Sequence, residues 1–397
     1  MNKTALVTRP AIGGTINSWD GVDRKLEVVA EWTRLPFHVT DPVIRRAWET
    51  SSIYPTALMQ GIKLDSKGRI FISSARWAGP EVPATLSSIE TVDGKPVLVP
   101  YPSPGANAVS DPRGLKSVLG FEIDRNDVIW ILDQGHIGGT MSPGDAKIVL
   151  WDIRSNREVQ RLVLPSDIAD PKASFLNDIV VDNDSGFGYI TDSGIFARPL
   201  RGGLIIYDAT KNVARRILDG SRFTNNEPDF VFNIGGYPVL KREPMLTGAD
   251  GIALSGDKQT LYWTNLTGNT LYSVPTSLLR DFSVPESEID SKVRIVKTLP
   301  SNTDGLTSDR EGNIYMTALS LNGLMRLDAT SETLERFVHH PEMRWPDTLA
   351  WGPDGALYLA SNNLNVWADG EMNFVDPEIP NFRIWRVSNV GLSYTTA

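Results

Sequence analysis

One short unit recurs six times along this chain of 397 residues. Each copy has an opening residue, a small residue, a strand of alternating character, a polar turn that usually carries Gly, and a second strand. The copies open at Gln60, Leu119, Asn177, Asp250, Asp304 and Asp347. A unit repeated at this spacing predicts an array of similar sheets rather than a set of unrelated elements.

Further strand pairs with period-2 apolar spacing lie between the copies. Examples are Lys147 to Ile153 followed by Val159 to Leu164, and Gly203 to Tyr207 followed by Val213 to Leu218. Each copy and its pair make one four-stranded sheet, and a closed ring hides the strand edges that an isolated sheet would expose. The sequence therefore predicts an all-β fold, a six-bladed β-propeller with four-stranded blades.

The last copy is followed by only one clear strand, Arg383 to Val387, so its blade lacks an outer strand. The segment Leu26 to Trp32 precedes every copy, and we expect it to close the ring as the outer strand of the last blade. Residues 1–24 are then an N-terminal extension, and residues 25–397 form a single propeller domain.

Charge and composition exclude several partners. The net charge is -9 without clustered Lys or Arg, which argues against nucleic acid and anionic membranes. There is no Cys, so thiol chemistry is absent, and no apolar run approaches the ~20 residues of a membrane helix. Because the apolar run Ala5 to Val7 is too short for a signal peptide, we expect a soluble cytoplasmic protein, or a secreted one if a leader was already removed. The oligomeric state is not indicated.

The topology of a propeller predicts where the chemistry lies. Inner strands all begin at one face, and second strands return to it, so opening residues and residues after second strands converge at one channel mouth. The residues expected to bind a substrate at this mouth are Gln60, Arg76, Trp77, Asn177, Asp192, Asn265, Phe232 and Asn362. His136 is expected there as well, as an acid or base.

Three opening residues are carboxylates: Asp250, Asp304 and Asp347. Crowded in one channel they repel one another, which raises at least one pKa into the range useful for proton transfer. Their oxygens, with Asn177, also suit Ca²⁺ or Mg²⁺, so a divalent cation on Asn177, Asp250 and Asp304 is a second possibility. The alternative is that these residues only form the turn before each strand.

His136 and two long insertions are expected at the same mouth. His136 lies in the Gly-rich segment 134–139, which suits a general acid or base, and all four histidines fall in connections predicted on this face. The insertions are 221–248, which carries Phe232, and 365–380. Loops of this length tend to be lids or binding loops, although they also cover blade edges.

Several phrases resemble the major royal jelly protein and yellow family. They are Asn177 through Gly194, Gly203 to Asp208, Asp250 to Ser255 and Leu271 to Pro275. The resemblance implies a six-bladed propeller, in a family that mixes dopachrome-converting isomerases, small-amine binders and storage proteins.

A more distant similarity is to the gluconolactonase and senescence-marker lactonases. The metal ligands that this similarity implies are a Glu, two Asn-type positions and an Asp. They fall on Gln60, Asn177, Asp250 and Asp304, with Gln60 replacing the Glu and losing its charge.

Three functions remain open. The leading hypothesis is an enzyme that isomerises, tautomerises or cyclises a small cyclic or aromatic metabolite, using Asp250, Asp304 and Asp347 with assistance from His136. The first alternative is a metal-dependent lactone hydrolase. The second is a non-catalytic protein that binds a small molecule in the same pocket.

Overall fold

Six antiparallel sheets stand in a ring and form a six-bladed β-propeller, as the repeat predicts. The structure is a computed structural model that describes residues 9–10, 13–54 and 56–396. The first strands of neighbouring blades contact one another around the central channel. The opening residue of every repeat therefore lies at the channel, at the end where the inner strands begin.

Blades 1 to 3 each contain four strands in sequence order, with the first strand innermost. In chain order these strands are Ile62–Leu64, Ile70–Ser73, Leu86–Val92 and Lys95–Pro100 in blade 1, Val118–Ile123, Val128–Asp133, Lys147–Asp152 and Arg157–Val163 in blade 2, and Leu176–Asp182, Phe187–Asp192, Gly203–Asp208 and Val213–Ile217 in blade 3.

Blades 4 to 6 follow the same order, and the N-terminal part of the chain adds one strand to blade 5 and two to blade 6. Their strands are Ala249–Leu254, Thr260–Asn265, Thr270–Pro275 and Arg294–Thr298 in blade 4, Leu306–Ser308, Ile314–Ala318, Gly323–Leu327 and Leu334–His339 in blade 5, and Pro346–Trp351, Leu357–Ser361 and Phe382–Val387 in blade 6.

The predicted ring closure is confirmed. Leu26–Trp32 is the outer strand of blade 6 and pairs antiparallel with Phe382–Val387. An ion pair between Arg383 and Glu31, 3.0 Å, crosses the same strand pair. Both ends of the chain thus contribute to one sheet, which ties down segments that would otherwise fray.

The described part of the predicted extension 1–24 also joins the sheets. Thr15–Ile16 pairs with the outer strand of blade 5, and Arg9–Pro10 pairs with Leu26–Trp32. Residues 1–8 and 11–12 of the extension lie outside the described residues.

Helices are few and short. The longest described helix begins after Asp41, whose carboxylate accepts hydrogen bonds from the backbone N–H groups of Val43 and Ile44. The helices are Pro42–Thr50, Thr276–Arg280, Glu286–Lys292 and Leu364–Ala368, with 3₁₀ turns at Gly105–Asn107 and Leu319–Leu321. A small hairpin, Asn233–Ile234 with Tyr237–Pro238, lies in the insertion between blades 3 and 4. In the part of the chain that the structure describes, no helix is long and apolar enough to span a membrane.

The core lies between neighbouring blades, where apolar faces of two sheets meet. Leu204 of blade 3 and Trp263 of blade 4 are both fully buried in one such layer. Alternate residues of each strand supply these faces, which is why period-2 spacing marks the blades in the sequence.

Glycines bring the inner strands close together at the channel. A Cβ atom on Gly251 would lie 1.9 Å from the backbone oxygen of Asp304, and one on Gly305 would lie 2.3 Å from the backbone oxygen of Asp347. Only glycine allows this approach of one blade to the next. The small residue of the repeat therefore sets how near the opening carboxylates of blades 4, 5 and 6 lie to one another.

The C-terminal segment crosses the opposite end of the channel. The backbone oxygen of Leu392 accepts from Arg310 of blade 5, and the Tyr394 hydroxyl accepts from the backbone N–H of Val181 in blade 3, at 3.3 Å. Tyr394 is buried in the layer between blades 3 and 4. The two ends of the channel thus differ, because this segment covers one of them.

Candidate active site

A cavity of about 400 Å³ lies at the end of the channel where the inner strands begin. Five of the six opening residues line it: Leu119, Asn177, Asp250, Asp304 and Asp347. Gln60 is the exception. Its side-chain Oε1 accepts from the backbone N–H of Ala75, 2.9 Å, and the residue is fully buried behind the cavity wall.

Asp250 and Asp304 form a buried pair of carboxyl groups that hydrogen-bond each other. Burial raises both pKa values well above the usual range, and the charge of Asp347 raises them further. Two carboxyls in this contact hold a proton between them, because two adjacent anions would repel.

The two members of the pair have different neighbours. Oδ2 of Asp304 accepts from the indole N–H of Trp345, 2.7 Å. Oδ2 of Asp250 is buried and has no donor among the described residues. The Trp345 N–H lowers the pKa of Asp304, but the contact between the two carboxyls lowers the pKa of Asp250 and raises that of Asp304. The charge of the pair therefore favours Asp250, and the proton favours Asp304.

Trp345 is a residue that the sequence analysis missed. It is buried, packs against Phe232 with ring centroids 5.5 Å apart, and has a left-handed backbone with φ of 45°. This conformation is rare for a bulky residue and is found where surrounding structure imposes it. No sequence motif marks an indole that donates to a carboxylate of the neighbouring blade.

Asp347 is held more firmly than the pair. Its Oδ2 accepts from the amide of Asn362 and its Oδ1 from the hydroxyl of Thr348, both at 2.7 Å. Burial still raises its pKa to about 6. Asn362, predicted to bind substrate, therefore positions Asp347 and is itself fully buried behind the wall.

Asp178 is a fourth carboxylate of the cavity and was also missed. It occupies the small-residue position of the repeat, where the blades on either side have glycine: Gly120 and Gly251. Burial raises its pKa to about 6, although nearby Lys63 opposes the shift. The sequence carried a signal for Asp178, because an acidic residue stands where the neighbouring copies have glycine.

An arc of rings forms one wall of the cavity. Trp367 lies 6.3 Å from Trp77, Trp77 lies 5.6 Å from Phe175, and Phe175 lies 6.0 Å from Phe196, measured between centroids. All four rings line the cavity. Trp77 was predicted, whereas Phe175 and Phe196 lie in connections that have no repeated pattern.

His136 belongs to the same wall, where its ring stacks on Phe196 at 4.3 Å. Its Nε2 lies 2.9 Å from the backbone oxygen of Ser174 and therefore carries the proton, because a carbonyl oxygen only accepts. Burial lowers the pKa of the imidazole. His136 is thus a neutral ring with one fixed tautomer.

The other three histidines do not line the described cavity. His38 is bound through its backbone to Leu98, His339 lies in the outer strand of blade 5, and His340 packs against Trp385. Of the four histidines expected in connections on this face, His136 is thus the one that the described lining contains.

Arg76 and Asp192 were expected at the mouth and lie behind it, outside the described lining. The Arg76 guanidinium donates to four backbone carbonyls, including those of Leu115 and Asn107. Asp192 accepts from the backbone N–H of Phe175 and binds Arg216 at 2.6 Å. Their polar atoms are already used to fix loops.

Asn265 and Phe232 also lie outside the described lining of the cavity. Asn265 donates to the backbone oxygen of Asn225, 2.7 Å, and Phe232 is fully buried against Trp345. Phe232 therefore supports the residue that contacts Asp304 rather than forming the wall.

The residues present do not complete a metal site of the lactonase type. The metal ligands that the lactonase similarity implies include the side-chain oxygen of Gln60. That oxygen already accepts a hydrogen bond from the backbone N–H of Ala75. Within the described ranges, no three acidic or histidine side chains converge as metal ligands. Asn177, Asp250 and Asp304 do line one cavity, but Asp250 and Asp304 face each other as a proton-sharing pair.

Comparison with known proteins gives the family. The major royal jelly protein family model matches residues 116–396. Protein yellow of Drosophila madeirensis is 29% identical over 271 residues, which cover 65% of this chain and 46% of that protein. Major royal jelly protein 3 of Apis mellifera is 24% identical over 413 residues, which cover 95% of this chain and 71% of that protein. The chain thus spans about half the length of the Drosophila relatives.

Two solved structures share the fold. A gluconolactonase from Xanthomonas campestris superposes with a TM-score of 0.55 at 13% identity, over 97% of this chain and 98% of the other. A luciferin-regenerating enzyme gives a TM-score of 0.51 at 15% identity, over 85% and 92%. At such identities the likeness concerns the fold alone. The family match, which covers more than half of the chain, establishes that this protein belongs to the major royal jelly protein family.

Proposed function

We propose that this protein is an enzyme that moves a proton on a small cyclic or aromatic molecule, in an isomerisation, tautomerisation or ring closure. The observation that carries the proposal is the hydrogen-bonded pair of Asp250 and Asp304 in the cavity floor. Carboxyl groups with raised pKa values are suited to exchange protons near neutral pH.

The pair supplies an acid and a base at once. Asp250, the ionised member, accepts a proton from one atom of the substrate, and Asp304 donates its proton to another. The substrate is then a tautomer of itself, and the pair again holds one proton, now on the opposite member. The internal proton passes back between the two hydrogen-bonded carboxyls, so no external reagent is consumed.

The walls of the cavity define the ligand class. Aromatic rings such as Trp77 and Phe175 offer faces on which a flat ring stacks. No Lys or Arg is among the described lining residues, while four aspartates are. A neutral or cationic molecule therefore suits the cavity, and an anion does not.

A non-catalytic role is the second candidate, because the same floor and walls would hold an amine without converting it. A lactone hydrolase is less well supported, since Gln60 does not present its oxygen to the cavity.

The test compares Asp304→Asn with His136→Ala. Candidate substrates such as hydroxyindoles, cyclic enols and lactones are incubated in D₂O, and deuterium uptake or conversion is followed by NMR. We expect Asp304→Asn to lower turnover by about 10²- to 10⁴-fold, and His136→Ala to lower it less, because the histidine is a neutral wall residue.

Melting temperatures of both variants serve as the control for folding. If folded Asp304→Asn keeps full turnover, or if no candidate is converted although ligands bind, the acid-base proposal fails and the binding role takes its place. If turnover instead requires added Ca²⁺ and is lost on chelation, the lactonase alternative replaces it.

A further inference from the structure

We propose that ligands enter the site through a second cavity beside it, and that an ion pair between Lys241 and Glu371 closes this entrance. The site cavity is called the inner cavity and its neighbour the outer cavity. The outer cavity, about 650 Å³, is walled by residues 240–247 together with Ile195, Phe196, Arg198, Ala368, Asp369 and Glu371. The inference deepens the proposed function, since it takes the inner cavity to be the binding site.

The two cavities adjoin each other. Ile195, Phe196, Met245, Thr247 and Ala368 line both of them. A molecule in the outer cavity therefore meets the same side chains that bound the inner one.

The aromatic wall leaves its gap on this side. The arc of contacting rings runs from Trp367 through Trp77 and Phe175 to Phe196. Its two ends, Phe196 and the residue after Trp367, are among the shared residues. The four rings are tilted against one another and form the wall between these ends, whereas the flexible side chain of Met245, which lines both cavities, borders the gap.

Two insertions meet over this gap. The Lys241 ammonium lies 2.6 Å from a Glu371 carboxylate oxygen, and the Lys241 backbone N–H donates to Asp369, 2.9 Å. Lys241 belongs to the insertion 221–248, and both acidic residues belong to the insertion 365–380.

Little free energy holds this entrance closed. The side chains of Lys241 and Glu371 are 48% and 56% exposed, and ion pairs so exposed add little stability. Leu240, with φ of 59°, and Gly370, with φ of 72°, adjoin the pair in left-handed conformations. Leu240 adopts this conformation at a cost, which favours movement of the segment.

The absence of Cys from the sequence allows a direct test that needs no ligand. Leu119→Cys places a single thiol in the inner cavity, because Leu119 lines that cavity and not the described outer one. The rate at which methyl methanethiosulfonate labels this thiol reports access to the site.

Three charge variants are made in the Leu119→Cys background. Lys241→Glu places like charges at the entrance and is expected to raise the labelling rate about two- to fivefold. Lys241→Glu combined with Glu371→Lys restores the pair and should restore the rate. Arg113→Glu breaks another exposed pair, with Glu158 in blade 2, and should leave the rate unchanged.

The outcome is decided by the comparison of the first two variants at equal melting temperature. A faster rate in Lys241→Glu that returns in the charge swap, and that disappears in high salt, supports the entrance. Equal rates in both variants, or acceleration by Arg113→Glu as well, overturn it. Turnover plays no part in the measurement, so failure of the proposed chemistry is seen separately.

Discussion

Buried aspartates lie at two positions in the propeller, and they differ in how many hydrogen-bond donors they have. At the ends of the second strands, Asp133 and Asp192 are fully buried, accept several backbone N–H groups, and pair with Lys147 and Arg216. At the cavity floor, Asp250 has an oxygen without any described donor.

The comparison shows that burial of a carboxylate does not by itself indicate function. The second-strand aspartates are charges that the fold has satisfied, and removing one breaks structure. Asp250 of the floor is a charge that the fold has left partly unsatisfied, and such strain is retained where it serves a ligand or a reaction. Counting donors separates Asp250 from the second-strand aspartates.

The largest effect that tests this comparison is the loss of a satisfied carboxylate. Asp192→Asn removes the carboxylate that pairs with Arg216 at 2.6 Å, and it leaves this cation, whose side chain is 8% exposed, with Asp219 as its remaining carboxylate partner. We expect the free energy of unfolding to fall by about 3 kcal/mol in urea titrations.

Asp133→Asn is the matched variant, because Asp133 pairs with the buried Lys147 in the same way. We expect a similar loss there. If both variants unfold at the wild-type urea concentration, the second-strand aspartates are not structural and the distinction between the two positions collapses.

The sequence predicted the fold and the opening ring because both repeat. Period-2 apolar spacing recurs in each blade, and the opening position recurs in each inner strand. An ambiguous assignment in one copy could therefore be checked against the other copies. The closing strand Leu26–Trp32 followed from a missing partner in the last blade.

Residues without a repeated counterpart could not be placed. Phe196 lies in an irregular connection, and the Trp345 indole reaches a carboxylate across a blade boundary. Arg76 was misplaced because its sequence position suits the mouth, whereas its guanidinium is bound by loop carbonyls that no pattern predicts. Such contacts depend on three-dimensional geometry.

The second test removes an unsatisfied carboxylate and expects the opposite sign. Asp250→Asn keeps the shape of the side chain and removes a charge that burial disfavours. We expect it to stabilise the protein by about 1–2 kcal/mol at pH 7.5 while abolishing turnover.

The pH dependence of this gain follows from the raised pKa of Asp250. Between the unfolded pKa, near 4, and the higher folded one, the native carboxyl binds its proton more tightly, so wild-type stability falls as the pH rises. The gain from Asp250→Asn should therefore be largest above the folded pKa and vanish below about pH 4. Urea titrations at several pH values measure this gain in stability. If Asp250→Asn were less stable than wild type at pH 7.5, Asp250 would have a structural role like that of Asp133 and Asp192.

The smallest expected effect sharpens the comparison within the floor itself. Trp345→Phe removes the one indole donor to Asp304, at 2.7 Å, while keeping a ring against Phe232. Because that N–H stabilises the anion, its loss should raise the pKa at which Asp304 ionises. We expect the basic limb of the pH–rate profile, which reports ionisation of the acid Asp304, to move to higher pH by roughly half to one unit, equivalent to about 1 kcal/mol. Trp385→Phe is the control, since it removes a buried indole donor to the neutral Ser361 hydroxyl, 2.9 Å. This control should change stability without moving the profile. Equal profiles for wild type and Trp345→Phe would show that ionisation of Asp304 does not govern turnover. Movement of the acidic limb instead would show that Asp304 is the base, and the assignment of acid and base within the pair would then have to be reversed.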